Sequence, residues 1–358
     1  MKVLFVSRLT IHSVLGGDTI QMENTARELS KFGTTVEFYT VKTKDFSSFD
    51  LIHFFNITRP EVILNVLSKV DLPFVLSPIY VDYSFYKTQS PFSKMGLLTR
   101  LFGADGIEYF KAVFKHVLGK EKIYFNPYFL LGQKSSIKRI LRQAAYILPN
   151  SESENTRLVK RFGHSSLAQV TPNGVDLEKF KLDKSFERQD SKILCVASVE
   201  PRKNQFNLIK AINGSKFELT IIGNPSPNHH KYYEKCKAEA GDNVTFISKI
   251  SQSELVKYYL ESSIHILPSW FETTGLSSLE AAYLGCKIIV SPNGDTKDYF
   301  KGFATYCERQ SVKSIKKAIH TSSEQPYTDE FKEFIKKEYN WKKTAEITQS
   351  VYLKVLKL

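Results

Sequence analysis

Two glutamates near the C-terminal third of the chain have surroundings that suit a phosphate group. Glu272 and Glu280 stand eight positions apart, on either side of Gly275. An apolar stretch at 264–268 precedes them and an apolar-periodic stretch ending at Gly285 follows, so the pattern predicts a strand, a turn and a helix. The first amides of such a helix and the positive end of its dipole favour a phosphate. One carboxylate at each end of that site suits a sugar nucleotide, because hydroxyl groups flank its diphosphate on both sides.

A second stretch places two cations where a strand should turn into a helix. Arg202 and Lys203 follow the apolar stretch 192–199 and precede a helical pattern that starts at Gln205. Cationic side chains and exposed amides at such a turn can bind phosphate together. Paired cations in a loop are also common on solvated surfaces, and two carboxylates at a given spacing also arise by chance. Each motif alone therefore leaves a structural alternative open.

The elements that must position these residues alternate between strand and helix. Strands are predicted at 2–7, 35–42, 50–55, 74–80 and 144–149, and again at 192–199, 217–223, 244–250, 264–267 and 287–291. Helices are predicted at 24–32, 60–70, 205–212, 254–261, 276–284, 329–339 and 341–356. Such alternation is typical of parallel sheets with helices on both faces.

The length of 358 residues exceeds the usual single core, so two domains are expected. The turn-rich junction at 172–176 separates an N-terminal domain, 1–172, from a C-terminal domain, 173–338, and a terminal helix at 339–358 is expected to return to the first domain. The fold class is therefore α/β, with two doubly wound, Rossmann-like parallel sheets facing across a cleft. Ligands should bind at the carboxyl ends of their strands.

Positive charge is concentrated in one part of the N-terminal domain. The chain has a net charge of +13, and eleven Lys and Arg against three Asp and Glu between residues 84 and 145 give that segment +8. The same segment is rich in Phe, Tyr and Leu, a mixture typical of proteins that bind an anionic membrane surface. Nucleic acid is the competing polyanion, and a merely solvated subdomain is the third possibility. We favour the membrane and expect no nucleic acid partner.

Other features indicate a cytoplasmic protein. No apolar run approaches the roughly 18 residues of a membrane span, and the N-terminus predicts a buried strand instead of a secretory signal. The four cysteines are far apart with no metal-ligand spacing, which favours buried free thiols in a reducing compartment. His53, on an apolar strand, is expected to be a core residue. We expect a cytoplasmic protein bound peripherally at the inner face of the cytoplasmic membrane.

Several motifs occur together in one order. They are Gly16-Gly17-Asp18, Asn173-Gly174-Val175-Asp176, Arg202-Lys203-Asn204, Ile222-Gly223, Pro268-Ser269 with the Glu272/Glu280 pair, and Gly285. Together they resemble glycosyltransferase family 4, retaining enzymes with the two-domain GT-B fold. The resemblance covers most of the second domain and only the opening of the first. Its most specific part is the glutamate pair with the flanking strand and glycine.

The resemblance implies roles for individual residues. Glu272 would face the donor sugar as the catalytic carboxylate, Glu280 would hold the ribose hydroxyls, and Lys203 would neutralise the diphosphate. The implied donor-binding residues are Gly16, Gly17, Arg202, Lys203, Ile250, Thr274, Gly275, Leu276 and Glu280. No metal ion and no cofactor are expected, because the cations and the helix dipole supply the charge that magnesium supplies elsewhere.

The chain departs from the family pattern at two positions. The family often has an arginine five residues before the phosphate lysine, where this chain has Ser198, so Arg202 is expected to compensate. It also often has a histidine after the fourth strand, where this chain has Ile79. Tyr80 and Asp82 are therefore the candidates for contacts with the acceptor.

The sequence thus predicts a retaining glycosyltransferase that uses a UDP- or GDP-sugar. The expected acceptor is a saccharide or a lipid-linked saccharide, in bacterial surface polysaccharide or lipopolysaccharide assembly. A GT-B sugar-nucleotide epimerase is one alternative. A non-catalytic polyanion-binding protein with a vestigial cleft is the other.

Overall fold

The computed structural model describes residues 1–8, 16–40, 42–81, 105–107, 109–110, 127–164, 166–180 and 186–358. The chain divides into two compact units. The first contains Met1–Asn173 and Trp341–Leu358, and the second contains Gly174–Asn340. The sequence placed the boundary after residue 172 and the returning helix from 339.

Strands and helices alternate along both units. The strands are β1 (Lys2–Val6), β2 (Thr35–Phe38), β3 (Leu51–Phe55), β4 (Phe74–Ser77), β5 (Tyr146–Ile147), β6 (Gln189–Val196), β7 (Glu218–Ile222), β8 (Val244–Ile247), β9 (Ser262–Leu267), β10 (Lys287–Val290) and β11 (Ala304–Tyr306). The described helices are α1 (Gly17–Lys31), α2 (Pro60–Leu67), α3 (Tyr128–Gln143), α4 (Glu152–Phe162), α5 (Gln205–Ile212), α6 (His230–Glu239), α7 (Gln252–Glu261), α8 (Leu276–Tyr283), α9 (Thr296–Phe300), α10 (Val312–Glu324), α11 (Glu330–Glu338) and α12 (Trp341–Leu356). A short 3-10 helix, Pro201–Lys203, precedes α5.

Each unit contains one parallel sheet. The first sheet has the order β2-β1-β3-β4-β5 and the second the order β11-β10-β9-β6-β7-β8. All the described neighbouring strands pair in parallel. The sequence prediction of two doubly wound α/β sheets is therefore confirmed.

The central strands are covered on both faces, as parallel strands connected by helices must be. All five residues of β3 and all six of β9 are buried. Along β1, Leu4 and Val6 pack into one apolar cluster while Val3 and Phe5 pack into another. Alternate side chains of a strand point to opposite faces, so the first sheet has a core on each side.

The terminal helix α12 is anchored to the first sheet through a buried histidine. His53 Nδ1 lies 2.6 Å from the hydroxyl of Tyr352, and His53 Nε2 lies 2.9 Å from Ser77 Oγ. Burial lowers the pKa of His53 to about 3, so the ring is neutral at ordinary pH. The prediction that His53 is a core residue is confirmed.

Two helices differ from the sequence prediction. Helix α1 begins at Gly17, seven residues before the predicted start, and Gly16 is its N-cap. Helix α6 follows a Pro- and Asn-rich stretch that gave no helical signal. The four cysteines are buried and free, as expected. In the part of the chain that the structure describes, no helix has the length and apolar character needed to cross a membrane.

Candidate functional site

The candidate site lies at the carboxyl edge of the second sheet. From β6 the chain continues through β7 to β8 on one side, and then crosses back to β9, which pairs with β6 on the other side. Such a switch point is where ligands bind in doubly wound sheets. The loops after Val196 and Leu267 leave the two strands at this point. The first contains the cationic turn, and the second contains Glu272 and leads into α8, which contains Glu280.

Backbone hydrogen bonds join these two loops. Trp270 N donates to the carbonyl oxygen of Arg202 at 2.8 Å, and Asn204 Nδ2 donates to that of Pro268 at 3.1 Å. Arg202 Nη1 donates to the carbonyl oxygen of Phe271 at 3.2 Å. The cationic turn and the glutamate loop therefore form one connected structure, although they are about 70 positions apart in the sequence.

Lys203 and Glu272 form a buried ion pair at this edge. Lys203 Nζ lies 2.6 Å from Glu272 Oε1, and Arg202 Nη1 lies 3.9 Å from the same oxygen. Burial raises the pKa of Glu272, but Lys203 and Arg202 outweigh this effect and hold the pKa below its ordinary value. Glu272 is therefore ionised at neutral pH and is a fixed negative charge beside two cations.

Glu280 has a different environment on α8. The hydroxyl of Tyr259 donates to Glu280 Oε2 at 3.1 Å. Burial raises the pKa of Glu280 to about 7, against the opposing effects of this hydrogen bond and of Lys179. Near neutral pH the carboxyl group therefore changes between a protonated form and an ionised form.

The N-terminus of α8 lies between the two glutamates. Gly275 is its N-cap with φ of +76°, in the left-handed region that favours glycine, and Leu276 is its first residue. The amides at this position point out of the helix without helical partners. Thr274, the neighbouring donor-binding candidate, is 2% exposed, so its side chain belongs to the interior of the loop.

The remaining candidates of the second unit are Arg202, beside the ion pair, and Ile250, which follows a strand farther along the sheet. Arg202 Nη2 is paired with Glu200 at 2.7 Å. Ser198, which stands at the position of the family arginine, lies in the same loop, and its carbonyl accepts from Gln205 Nε2 at 2.9 Å. Ile250 follows β8, the edge strand, which β7 separates from β6.

In the first unit, the Gly16-Gly17 pair lies at the corresponding edge of the first sheet. Gly16 and Gly17 open α1, and the next residue, Asp18, is bound by Arg8 Nε at 2.7 Å and by Asn56 Nδ2 at 3.3 Å. Arg8 follows β1 and Asn56 follows β3, the two strands between which the order of this sheet reverses. The pair is thus at the switch point of its own sheet.

The acceptor-side prediction needs a correction at Tyr80. Tyr80 is 5% exposed, its ring packs edge-on against Phe162 in the core, and its amide donates to the carboxylate of Glu154. Tyr80 is therefore a core residue and not a surface for an acceptor. Ile79 has φ of +46°, which a β-branched residue rarely adopts. Asp82 lies outside the described residues.

The sequence analysis missed a third loop that contacts Glu272. Glu272 N donates to the carbonyl oxygen of Asn293 at 3.3 Å, and Asp295 N donates to the carbonyl oxygen of Glu272 at 2.8 Å. The only sequence signal was the composition of 292–295, Pro-Asn-Gly-Asp, which predicts a turn but not its partner.

Within the described ranges, no group of three or more His, Cys, Asp or Glu could hold a metal ion.

Comparison with protein families gives one match, which covers this second unit. Residues 178–344 match the family model described as glycosyl transferases group 1. For this segment, the match agrees with the glycosyltransferase resemblance that its motifs suggested.

Similar proteins include sugar-transferring enzymes. A probable sucrose-phosphate synthase of Thermosipho melanesiensis is 24% identical over 399 residues, 95% of this chain and 91% of that protein. An uncharacterized 41.2 kDa protein in the cps region of Klebsiella pneumoniae is 28% identical over 194 residues, 48% of this chain and 52% of that protein. A D-inositol 3-phosphate glycosyltransferase of Pseudarthrobacter chlorophenolicus is 26% identical over 174 residues, 44% of this chain and 41% of the enzyme. The last two relatives are thus covered over about half their length or less.

Solved structures share the whole fold at low identity. A sucrose-phosphate synthase from Thermosynechococcus elongatus superposes with a TM-score of 0.74 at 15% identity, over 100% of both chains. The Anabaena protein HepE, in complex with UDP and glucose, superposes with a TM-score of 0.65 at 13% identity, also over 100% of both chains. These matches confirm the GT-B fold.

Proposed function

We propose that this chain, which carries a group 1 glycosyl transferase domain in a GT-B fold, moves a sugar from a nucleotide diphosphate donor to a hydroxyl acceptor with retention at the anomeric carbon. The donor is a UDP- or GDP-sugar. The binding of UDP and of UDP-glucose by structures of similar fold supports this donor class. The motifs shared with family 4 support the retaining stereochemistry.

The observation that carries the proposal is the Lys203–Glu272 pair at the N-terminus of α8. A cation and a helix N-terminus at one sheet edge suit the diphosphate of the donor, and the carboxylate beside them suits the sugar hydroxyls. The pKa values of the two glutamates fit their proposed roles. Glu272 stays ionised at neutral pH, as a charge facing the donor sugar must, whereas Glu280 titrates near pH 7.

These residues can perform the transfer without a side-chain base. In the proposed step, the bond between the anomeric carbon and the phosphate oxygen breaks, and the acceptor hydroxyl forms its bond on the same face. A phosphate oxygen of the departing nucleotide takes the acceptor proton. Lys203 and the α8 amides stabilise the charge that develops on the diphosphate, and Glu272 stabilises positive charge at the anomeric carbon.

Incubation of the protein with a panel of UDP- and GDP-sugars, with measurement of the UDP or GDP released over time, tests this proposal. Release of UDP or GDP with sugar transfer supports it, and activity should persist in EDTA because the cations and the helix dipole replace a metal ion. A changed sugar with the nucleotide still attached would indicate an epimerase. Binding to polyanions with no nucleotide release from any donor would favour the non-catalytic alternative.

We propose a saccharide or lipid-linked saccharide at the cytoplasmic membrane as the acceptor, in the assembly of a bacterial surface polysaccharide. The relative in a cps region supports this pathway. Most of the basic segment 84–145 lies outside the described residues, but α3 is described. On it Lys134, Arg139 and Arg142 are exposed, and Leu130 is 86% exposed. Cations beside an exposed leucine suit an anionic lipid surface.

We expect binding to anionic vesicles that weakens steeply with salt and is nearly absent on neutral vesicles. Each basic residue near such a surface contributes about 1 kcal/mol, and salt screens this contribution within a Debye length. Replacing Lys134, Lys138, Arg139 and Arg142 together with serine should therefore reduce vesicle binding at least 10-fold and leave nucleotide binding unchanged. Vesicle sedimentation at several salt concentrations measures the effect.

Three exposed lysines of α10 provide the matched control for that variant. Replacing Lys313, Lys316 and Lys317 with serine also removes positive charge from one helix face, but in the second unit. This control should keep most of the vesicle binding. Equal losses in both variants would indicate non-specific charge attraction, and stronger competition by duplex DNA than by lipid would favour a nucleic acid partner.

The affinity for nucleotide should depend on pH through Glu280. Its pKa is raised to about 7, so the carboxylate that would accept from the ribose hydroxyls is mostly protonated at pH 6 and mostly ionised at pH 8. Nucleotide affinity should therefore rise about 10-fold between these values as the ionised fraction increases. Glu280→Gln should remove the part of this pH dependence that Glu280 causes, and isothermal titration measures both proteins.

Glu280→Ala should also weaken nucleotide binding at pH 8 by about 1.5–3 kcal/mol, the usual contribution of a hydrogen bond to a charged group. Glu234→Gln on α6 is the control, because Glu234 is an exposed carboxylate of the same unit. An unchanged affinity and an unchanged pH profile in Glu280→Ala would remove Glu280 from the donor site.

A further inference from the structure

The loop after β10 clamps the backbone of Glu272 by bonding both its nitrogen and its carbonyl oxygen. The carbonyl oxygen of Asn293 accepts from Glu272 N at 3.3 Å, and Asp295 N donates to the carbonyl oxygen of Glu272 at 2.8 Å. Between these two bonds, Gly294 lies directly opposite Glu272 in an isolated parallel bridge. The main chain of Glu272 is thus positioned by a segment more than twenty residues further along the chain.

Glycine is the only residue type that fits at position 294 opposite Glu272. Its φ is +85°, and a Cβ atom at this position would lie 2.0 Å from the carbonyl oxygen of Glu272 and 2.9 Å from its nitrogen. These distances are far inside van der Waals contact, so a side chain must displace either the loop or Glu272. Gly214 differs in this respect, because its φ is +69° but a Cβ atom there would contact nothing within 4 Å.

The loop itself is fixed by buried hydrogen bonds. Thr296 Oγ1 donates to the carbonyl oxygen of Ser291 at 2.7 Å, and Ser291 Oγ donates to the carbonyl oxygen of Ser269. Thr296 and Ser291 are both buried. Since β10 pairs with β9 up to Val290, the loop connects the sheet to Glu272 by a second route besides the 268–271 segment.

We infer that Gly294 is a positioning residue for the transfer reaction, which holds the carboxylate of Glu272 against Lys203 and toward the donor sugar. This inference rests on the proposed function of Glu272. The absence of a side chain at 294 allows the clamp to close, and the clamp fixes a carboxylate whose placement decides how well it meets the anomeric carbon. A displacement of about 1 Å in such a group lowers rates by about 100-fold.

Steady-state kinetics of Gly294→Ala, together with nucleotide titration, test this role. We expect kcat to fall about 100-fold while the affinity for free UDP or GDP changes less than 3-fold, since Lys203 and α8 remain in place. Gly214→Ala introduces the same strain at a positive φ without a contact, and it should keep the parental kcat. Melting temperatures of both variants show whether each is folded.

A milder variant covers the case in which Gly294→Ala does not fold. Thr296→Val keeps the shape of the side chain but removes the hydrogen bond to Ser291, so it should loosen the loop and lower kcat about 5-fold. Its nucleotide affinity should again stay within 3-fold of the parent. A kcat equal to that of the parent in every folded loop variant would overturn the inference.

The failure of the inference and the failure of the proposed function give different results. If the parent transfers sugar and folded Gly294→Ala does so equally fast, the positioning role is wrong and the proposed reaction stands. If the parent transfers no sugar, the proposed reaction is wrong. The crystal structure of the variant, or of Thr296→Val if needed, then decides the inference, because the Lys203 Nζ–Glu272 Oε1 distance of 2.6 Å should lengthen only if the loop positions Glu272.

Discussion

Glu272→Gln should lower kcat about 100- to 1000-fold and leave the affinity for free UDP or GDP intact. The fall in kcat follows from the loss of a fixed negative charge at the anomeric carbon, an electrostatic effect that is commonly of this size. The affinity should hold or increase, because Glu272 neutralises Lys203 at 2.6 Å and the amide would leave that cation available to the diphosphate. Strongly reduced turnover, with a nucleotide affinity equal to or higher than that of the parent, is the expected result.

The matched control for this variant is Glu261→Gln. Glu261 pairs with Lys192 at 3.1 Å, so both substitutions remove an ion pair from the second sheet. Glu261 precedes the start of β9 whereas Glu272 follows its end, and the two glutamates lie at opposite edges of the sheet. Glu261→Gln should therefore keep the parental kcat. Normal turnover in Glu272→Gln would show that the carboxylate has no part in the reaction.

The opposite electrostatic environments of Glu272 and Glu280 fit the two different roles proposed for them. Two cations keep Glu272 ionised, which suits a charge that must be present whenever the anomeric carbon becomes positive. Glu280 accepts a hydrogen bond from Tyr259, and burial raises its pKa to about 7, which would suit a group that exchanges hydrogen bonds with ribose hydroxyls. Carboxylates whose pKa values are pushed apart by their surroundings commonly divide the work of a site in this way.

The sequence predicted the residues of the candidate site better than it predicted their contacts. Glu272 and Lys203 were each selected from a local pattern, since a strand, a glycine and a helix start leave clear signals. Their ion pair depends on which strands become neighbours, and the placement of β9 beside β6 has no local signal. Gly294 was missed for the same reason. It is one of 17 glycines, and only its contact with Glu272 distinguishes it.

The elements were predicted well where apolar periodicity was strong. Helices α5 and α12 begin and end at the predicted residues, because apolar positions repeat at helical spacing over their whole length. Helix α6 was missed because Tyr232 and Cys236 are its only buried residues, too few to give a periodic signal. The turn at Ile79 could not be foreseen either, since a positive φ in an isoleucine is imposed by tertiary contacts such as that between Tyr80 and Glu154.

Lys203→Ala should weaken the binding of UDP or GDP by about 10- to 150-fold, and should change the binding of the bare nucleoside less than 2-fold. This range corresponds to about 1.5–3 kcal/mol for a lost hydrogen bond between charged groups, and the nucleoside has no phosphate for Lys203 to meet. Arg202→Ala should have a smaller effect, because Glu200 already pairs with that arginine at 2.7 Å. Isothermal titration with nucleoside, monophosphate and diphosphate measures the series.

Two further variants separate the phosphate contact from the loss of the ion pair. Lys192→Ala removes the lysine of the Lys192–Glu261 ion pair, so it should change stability but not nucleotide affinity. Lys203→Ala also leaves Arg202, 3.9 Å away, as the remaining cation beside the buried carboxylate of Glu272. The negative charge of Glu272 would then repel a diphosphate. Adding Glu272→Gln to Lys203→Ala should therefore recover part of the lost diphosphate affinity, without recovering turnover. Equal losses for nucleoside and diphosphate in Lys203→Ala would show that the turn does not bind phosphate.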